Sequence, residues 1–320
     1  MDANPSYAAG FKGLKDTGAI MDVFATTVKE SLYAKTFLPQ ITESGYLGQI
    51  KNKGQTVTIA TVPRVKTFAY SRGMTLPINC ESEPALELKV DRAMAWTQFW
   101  DRLDQHQTHL KMLQPETIAG AASQIAEDME KEFLAEVATF PHAKNVGATA
   151  GIQSGAYNLG TAASPVGIKA DTIIPYLTQF FSVIAEHNVS ETEGAKSVLI
   201  PEMFRWYLVN SDQLSDASKI GGPSSLKTNK VTSIGGVDIY TSTLLTPTVV
   251  GGHNAFPIFA CSKKALNFVV ALNEVKTVEP STMMGTLAKG VVLYDWGNVR
   301  SEGVALGYAY GADTTLITGS

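Results

Sequence analysis

The sequence predicts an α+β fold, and three observations support this class. Residues 115–138 show one long helical pattern, in which apolar side chains recur every three or four positions. Residues 54–100 and 265–310 mostly show the alternation that is typical of strands. Between these blocks, residues 170–262 alternate helical and strand-like segments. Helices and strands therefore occur in long, partly separate blocks of one chain, as in α+β proteins.

The N-terminal region predicts an arm followed by a helix. Residues 1–17 are small, polar and aperiodic, which indicates an extended arm. From Ile20 the apolar spacing becomes helical. The residues on this stripe are Met21, Phe24, Val28 and Leu32. An amphipathic surface helix and a clasp between subunits account for the stripe equally well.

An extended β-hairpin is predicted next. Residues 54–62 alternate apolar and small polar side chains, Pro63 interrupts them, and Ser71-Arg72-Gly73 supplies a turn. The return leg has one apolar face, formed by Leu86, Leu88, Val90, Met94, Trp96 and Trp100. Two legs of about 15 residues at roughly 3.3 Å per residue project about 50 Å. Because a lone two-stranded hairpin is marginal in water, we expect it to lie on a neighbouring subunit.

The clearest helix is predicted at residues 115–138. Pro115 fits its first turn, and Glu116 suits the positive end of the helix. Its apolar stripe consists of Ile118, Ala122, Ile125, Met129, Phe133 and Val137. The other side is expected to carry mainly Glu127, Asp128, Glu130, Lys131, Glu132 and Glu136. A helix of this length is a rod of about 36 Å.

The rest of the chain predicts a loop followed by alternating elements. Residues 147–167 are rich in Gly, Ala and Ser, which indicates a loop. Helices are expected at 170–188 and at 201–212, the second with Pro201 in its first turn. Strands are expected at 196–200, 230–234, 237–241 and 256–261.

Charge and composition disfavour several classes of protein. Residues 1–66 carry eight Lys/Arg against five Asp/Glu, so this segment is +3 and the remainder of the −4 chain is −7. A nucleic-acid reader usually has a strongly basic face, so sequence-specific DNA binding is disfavoured. No run approaches the roughly 20 apolar residues of a membrane span. Cys80 and Cys261 are too few for a disulfide framework, so synthesis in the cytoplasm with reduced thiols is expected.

Catalytic and cofactor-binding signatures are missing from the sequence. It contains no phosphate-binding loop, nucleophile elbow, zinc-protease motif or dinucleotide fingerprint. His106 and His109 have the spacing of a metal pair, but no nearby cysteine completes the four ligands of structural zinc. Trp96 and Trp100 could stack on sugars or bases, yet their alternation favours core packing. We therefore expect no catalytic residue, cofactor or metal.

The order of these segments resembles the major capsid proteins of tailed bacteriophages, in particular podovirus-like ones, which have the Hong Kong 97-type fold. Residues 54–70 resemble the strand that begins the family's extended loop. The return leg looks like the strand before the spine helix, with an Asp-x-x-Asp-Gln-like segment at Asp101, Asp104 and Gln105. Residues 115–138 are similar to the spine helix itself. AKSVLIPEMFRWYLVNSD and KVTSIGGVDIYTSTLLTP resemble axial-domain units, and GVVLYDWGNVRSEGVALGY resembles the last peripheral-domain strands.

The resemblance extends over roughly residues 18–310 and implies a division into regions. These are an N-terminal arm (1–48), an extended loop (49–95), a peripheral domain (96–143 and 266–320) with the spine helix 115–138, and an inserted axial domain (144–265).

By the same resemblance, the chain is expected to be a non-enzymatic virion protein, assembled in the host cytoplasm. Its copies would form pentamers and hexamers of an icosahedral shell around double-stranded DNA, without sequence-specific binding. A scaffolding protein, a portal and cement proteins are the expected partners. Lys66, Arg72 or Arg92 is predicted to pair with acids across subunits, each exposed pair contributing about 0–1 kcal/mol. Deleting residues 55–90 is expected to leave soluble subunits that do not assemble.

Three other functions are compatible with parts of the sequence. An encapsulin-like nanocompartment shell would share the fold but enclose enzymes instead of a genome. A soluble α/β enzyme could use residues 170–262 as its main domain. Another virion component, such as a tail or decoration protein, fits less well because of the inserted-domain order and the long spine helix.

Overall fold

The computed structural model describes residues 37–43, 56–60, 67–75, 85–102, 110–187, 189, 195–211, 230–234 and 236–312. The helices in these residues are α1 (Leu38–Ile41), α2 (Leu110–Glu136), α3 (Ile173–Glu186) and α4 (Glu202–Val209). The strands are β1 (Thr56–Ala60), β2 (Ala85–Lys89), β3 (Arg92–Asp101), β4 (Val166–Ile168), β5 (Lys196–Pro201), β6 (Lys230–Ile234), β7 (Val237–Ser242), β8 (Thr248–Val250), β9 (His253–Ser262), β10 (Leu266–Val278), β11 (Gly285–Asn298) and β12 (Val304–Gly311). The predicted α+β class is confirmed.

The strands form three sheets. Strands β1 and β2 make a two-stranded antiparallel ladder, and β10, β11 and β3 make a three-stranded antiparallel sheet in that order. The largest sheet has the order β4-β12-β9-β5-β7-β6, with β8 paired to β9. In that sheet β12–β4 and β5–β7 are parallel pairs, and the other pairs are antiparallel.

The largest sheet is buried on both faces, because apolar side chains occupy both sides of its central strands. In β5, Val198 and Ile200 face the core cluster under α3 and α4, whereas Leu199 belongs to the cluster that contains α2. Strand β9 repeats the alternation, with Ile258 on the first side and Phe259 on the second. A near-continuous apolar run is the sequence pattern of such doubly covered strands. Helix α2 is thus held between the two larger sheets.

Helix α2 buries the predicted stripe. Ala122, Ile125, Met129 and Phe133 are buried, and Val137 continues the stripe into the 3-10 turn Val137–Thr139. Ile118 lies in the part of the helix whose side chains are not described. The predicted apolar stripe is therefore confirmed from Ala122 onward.

Two details of the helix prediction are wrong. The helix begins at Leu110, so neither Pro115 nor Glu116 lies in its first turn. Residues 110–114 are mostly strong helix formers, which outweighs the hydrogen bond that a proline removes. Glu130 is buried rather than exposed, since its Oε1 accepts the backbone N–H of Phe37 at 2.7 Å. A buried N–H ahead of α1 needs such an acceptor.

Most of the other predicted elements are confirmed within a few residues. Helix α3 lies within 170–188, helix α4 follows Pro201, and β5, β6, β7 and β9 lie where strands were expected. Pro201 is the N-cap of α4 and also the last residue of β5. Residues 147–167 form a loop up to the short strand β4.

The N-terminal region is described only from Phe37 to Glu43. Met21, Phe24, Val28 and Leu32 lie outside the described residues. Phe37, Leu38 and Ile41 are buried in the same core cluster as α2. The end of the predicted arm is therefore part of the core.

Strand β12 bears on one of the predicted domain boundaries, which stay predictions. Residues 266–320 were assigned to the peripheral domain, but β12 is hydrogen-bonded between β9 and β4 in the largest sheet. Its residues Ala305 and Ala309 belong to the core cluster under α3. The sheets therefore divide the C-terminal region between β11 and β12.

Candidate assembly surface

The base of the extended hairpin is the β1–β2 ladder and its continuation. Its register runs from Thr56↔Lys89 to Ala60↔Ala85. Strand β2 continues through Val90 and Asp91 into β3, which is the edge strand of the three-stranded sheet. Leu88 and Val90 are buried, as the alternation predicts. The hairpin is thus anchored at its base, and among the described residues β1 pairs only with β2.

The described residues 67–75 of the hairpin carry apolar side chains in solvent. Phe68, Tyr70 and Met74 have exposed fractions of 46%, 69% and 41%. The predicted turn is confirmed, because the Met74 N–H donates to the Ser71 carbonyl at 3.0 Å. Gly73 has a φ of 85°, a conformation that favours glycine. Large apolar side chains in solvent are typical of contacts with another molecule when they cluster.

The three predicted contact residues lie in different environments. Lys66 lies outside the described residues. Arg72 is exposed in the turn, where it is free to face a neighbouring copy. Arg92 is half-buried at the base of the hairpin, where its partners belong to its own chain. The predicted contacts across subunits stay predictions for all three residues.

Arg92 is the centre of a charged cluster between the hairpin base, α2 and β11. Its Nη2 lies 2.6 Å from Glu136 Oε1, its Nη1 lies 3.6 Å from Glu132 Oε2, and its Nε lies 3.4 Å from Asp295 Oδ1. The guanidinium carbon lies 4.1 Å from the centre of the Trp296 ring. Arginine suits this position because its planar group pairs with carboxylates and stacks on aromatic rings.

Further hydrogen bonds fix the acids around Arg92. The indole Nε1–H of Trp296 donates to Glu136 Oε2 at 2.8 Å, and the Tyr294 hydroxyl donates to Glu132 Oε2 at 2.6 Å. Asp295 accepts the backbone N–H groups of Trp296 and Asp91. The cluster therefore joins the start of β3 to the end of α2 through β11.

The environment shifts the pKa values of this cluster in different directions. Burial raises the pKa of Glu136, but hydrogen bonds from Arg92 and Trp296 outweigh this and leave the pKa below its ordinary value. Burial raises the pKa of Asp295 despite its hydrogen bonds and the nearby Arg92 charge. Burial, and then the hydrogen bond with Glu132, raise the pKa of Tyr294. These groups form ion pairs and hydrogen bonds with one another. The cluster is therefore a structural clamp that holds the start of β3 to α2 and β11.

We expect Arg92→Met to lower the free energy of unfolding by about 1–2 kcal/mol, because it leaves partly buried carboxylates without their cation. Methionine keeps the apolar stem over Trp296 and removes the charge. Chemical denaturation of both proteins measures the effect. Lys89→Met is the matched control, since it removes an ion pair with Asp91 that lies at the surface, and it should change nothing measurable. Equal effects of the two substitutions would contradict the clamp.

Two histidines from different parts of the sequence lie in contact. The ring centroids of His142 and His187 are 5.0 Å apart, and the rings have an edge-to-face arrangement. The Nδ1 of His142 accepts the N–H of Lys144 at 3.2 Å. His187 is buried, and its Nε2 makes no hydrogen bond within the described residues.

Acid is expected to destabilise the chain through His187. Burial, the neighbouring His142 and Arg300 lower its pKa below the ordinary 6.5, and the opposing charges of Glu302 and Glu186 do not compensate. The unfolded chain then binds more protons than the folded chain at pH values just below 6.5, so stability falls as the pH falls through this window. Denaturant titrations between pH 7.5 and about 5.5 measure this slope. In His187→Asn the slope should become shallower, and an unchanged slope would contradict the assignment.

No metal or stacking site emerges from the residues in view. Among the described residues, no three His, Cys, Asp or Glu side chains could share a metal ion. His106 and His109 lie outside them. Trp100 is buried and Trp96 packs against the core cluster, so their predicted packing role is confirmed. None of the helices described is both long enough and apolar enough to cross a membrane.

Solved structures identify the fold. No protein-family model and no curated protein matches the chain. A chain of Mycobacterium phage Che8 is similar at a TM-score of 0.61 and 18% identity, over 85% of this chain and 91% of that one. The capsid structure of the cyanophage P-SCSP1u is similar at a TM-score of 0.56 and 16% identity, over 84% of this chain and 86% of that one. The capsid of Ralstonia phage GP4 is similar at a TM-score of 0.58 and 11% identity, over 88% of this chain and 93% of that one.

The chain has a phage capsid fold. The matches cover most of both chains, so the similarity extends over most of the architecture. Individual contact residues do not transfer at such low identities.

Proposed function

We propose that the chain is the major capsid protein of a tailed bacteriophage, with a Hong Kong 97-like arrangement of arm, extended loop, peripheral region and axial region. The observation that carries the proposal is a capsid fold whose hairpin presents Phe68, Tyr70 and Met74 to solvent. The regions keep the boundaries given above, except that β12 joins the axial region. The role of the chain is structural rather than catalytic.

Assembly follows from many modest contacts between identical copies. In a closed shell each copy uses the same surfaces, and the ring and the shell satisfy all contacts together. Linked contacts gain avidity, so individually weak interfaces suffice. The extended loop, the arm and the packing of axial regions around symmetry axes supply these contacts, which build pentamers and hexamers.

The charge of the chain fits a container for DNA. A net charge of −4 keeps the wall from binding its contents tightly, since phosphate contacts require many Lys and Arg residues. Double-stranded DNA is therefore enclosed without sequence-specific binding. The proposal includes a scaffolding protein, a portal and cement proteins as partners, assembly in the host cytoplasm, and the virion as the final location.

The proposed function can be tested by sedimentation of particles isolated from cells in which the protein is naturally produced. We expect fast-sedimenting shells that contain nuclease-protected double-stranded DNA and that join a tail. Shells filled with protein and free of DNA would instead identify a nanocompartment. A small soluble oligomer in the same gradient would contradict both kinds of shell.

A further inference from the structure

The contact between His142 and His187 joins the segment that follows α2 to the end of α3. The ring centroids are 5.0 Å apart, and the ring planes cross at 71°. His187 is the C-cap of α3 and is buried, with no hydrogen bond to its Nε2 in the part of the chain that is described. Because a buried cation needs a partner, this joint is packed for two neutral rings rather than for two imidazolium ions.

His142 uses the lone pair of one ring nitrogen in the closed joint. It is the N-cap of the 3-10 turn Ala143–Asn145, and its Nδ1 accepts the N–H of Lys144 at 3.2 Å. A nitrogen that accepts a hydrogen bond carries no proton, whereas both ring nitrogens of a protonated histidine are donors. Protonation of Nδ1 therefore removes the cap of this turn.

The capped turn connects the joint to the start of β12. Asn145 is fully buried, and its Nδ2 donates to the carbonyl groups of Glu302 and Val304 at 2.9 and 2.8 Å. The N–H of His142 donates to the Ser301 carbonyl at 3.1 Å. The position of residues 142–145 against β12 thus depends on the turn that His142 caps.

The charges around the pair do not offset two added protons. Glu186 of α3 and Glu302 of the 3-10 turn Ser301–Gly303 attract a proton to His187. Arg300 and His142 repel a proton there, and burial disfavours the charged ring further. Two imidazolium rings at this separation would also repel each other.

The tip of the same loop is held independently of the histidines. Glu186 Oε2 accepts the backbone N–H groups of Gln153 at 2.8 Å and Ser154 at 3.2 Å. A hydrogen bond from the Ser154 side chain, together with these N–H groups, keeps the pKa of Glu186 below its ordinary value. This carboxylate therefore stays ionised at the pH values where a histidine titrates, and the tip stays attached.

We propose that His142 and His187 form a proton-operated joint, in which protonation of the two imidazoles releases residues 142–145 from α3 and from the start of β12. The opening admits water to the imidazolium ions, which the closed joint excludes. The fold around the joint stays packed, since neither core cluster contains a histidine. The inference concerns a single subunit and goes beyond the proposed function.

Hydrogen exchange of unassembled subunits, corrected for the intrinsic rate, tests the joint between pH 7.5 and about 5.5. An imidazole that stays neutral in the closed joint and has an ordinary pKa of about 6.5 in the open joint raises the open fraction by about tenfold over this range. We expect exchange of residues 142–145 to rise by about tenfold or more, and that of Gln153 and Ser154 by less than about twofold. No rise at residues 142–145, or an equal rise at both places, would overturn the proposal.

Asparagine variants assign the rise to the two rings. Asparagine at 142 can still cap the turn through its Oδ1, but it takes up no proton. His142→Asn and His187→Asn should each make the rise smaller, and the double variant should abolish it. The matched control is His253→Asn, because His253 is exposed and stacks on Tyr310 at the other end of β12, and this variant should keep the full rise.

A full rise in the double variant would also refute the joint. The measurement on the unmodified subunit can refute it without any variant, so the test does not depend on how well the variants fold.

Discussion

Replacing residues 61–84 by Asn-Gly is expected to leave a folded subunit that no longer builds shells. Ala60 and Ala85 are the last pair of the β1–β2 ladder, so a two-residue turn can close the hairpin there. Because Leu88 and Val90 are buried, this design keeps core residues that deletion of 55–90 would remove. Loss of a linked contact should lower the yield of shells by about 10²-fold or more. Gradient sedimentation measures the yield, and thermal unfolding checks the fold.

A second variant separates the length of the loop from its residues. Replacing 61–84 by a Gly/Ser segment of the same length keeps the spacing but removes the cations and the exposed apolar side chains. We expect this variant also to remain unassembled. Normal shells from either variant would show that the extended loop does not hold the copies together.

Phe133→Ala is expected to lower the free energy of unfolding by about 3–5 kcal/mol, the largest effect of any single substitution considered. Phe133 is fully buried on α2. Its ring centroid lies 6.1 Å from that of Phe259 in the largest sheet and 5.6 Å from that of Trp296 in the three-stranded sheet. Its removal therefore leaves a cavity where the helix joins both sheets. Chemical denaturation measures the change.

Leu134→Ala is the matched control for Phe133→Ala. Leu134 is the next residue of the same helix and is only half-buried, so its truncation should cost clearly less. Equal losses for the two variants would contradict the assignment of Phe133 to the junction between α2 and the sheets.

Local periodicity was enough to predict most of the long elements of this fold. The stripe from Ala122 to Val137 and the alternation at Leu88 and Val90 follow from helix and strand geometry, so each could be predicted without knowing what it packs against. The order of such elements also supported the resemblance to capsid proteins. The matched solved structures have that fold.

Contacts between distant parts of the chain could not be predicted in this way. Arg92 and Glu136 are 44 positions apart, and Phe37 and Glu130 are 93 apart, so no local pattern connects them. The sequence did contain one indication that Arg92 is partly buried, because Arg92 occupies the apolar face of the strand between Val90 and Met94. His142 and His187 meet because α3 packs beside the segment after α2, and β12 belongs to the largest sheet because it pairs with β9 and β4.

Electron microscopy of the purified, overexpressed chain tests the central claim most directly. If the exposed hairpin is buried on sister copies, negative-stain images should show closed or aberrant curved shells built from rings of subunits. A monodisperse compact monomer, with residues 67–75 folded against its own α2 and no large assemblies at any protein concentration, would contradict the claim.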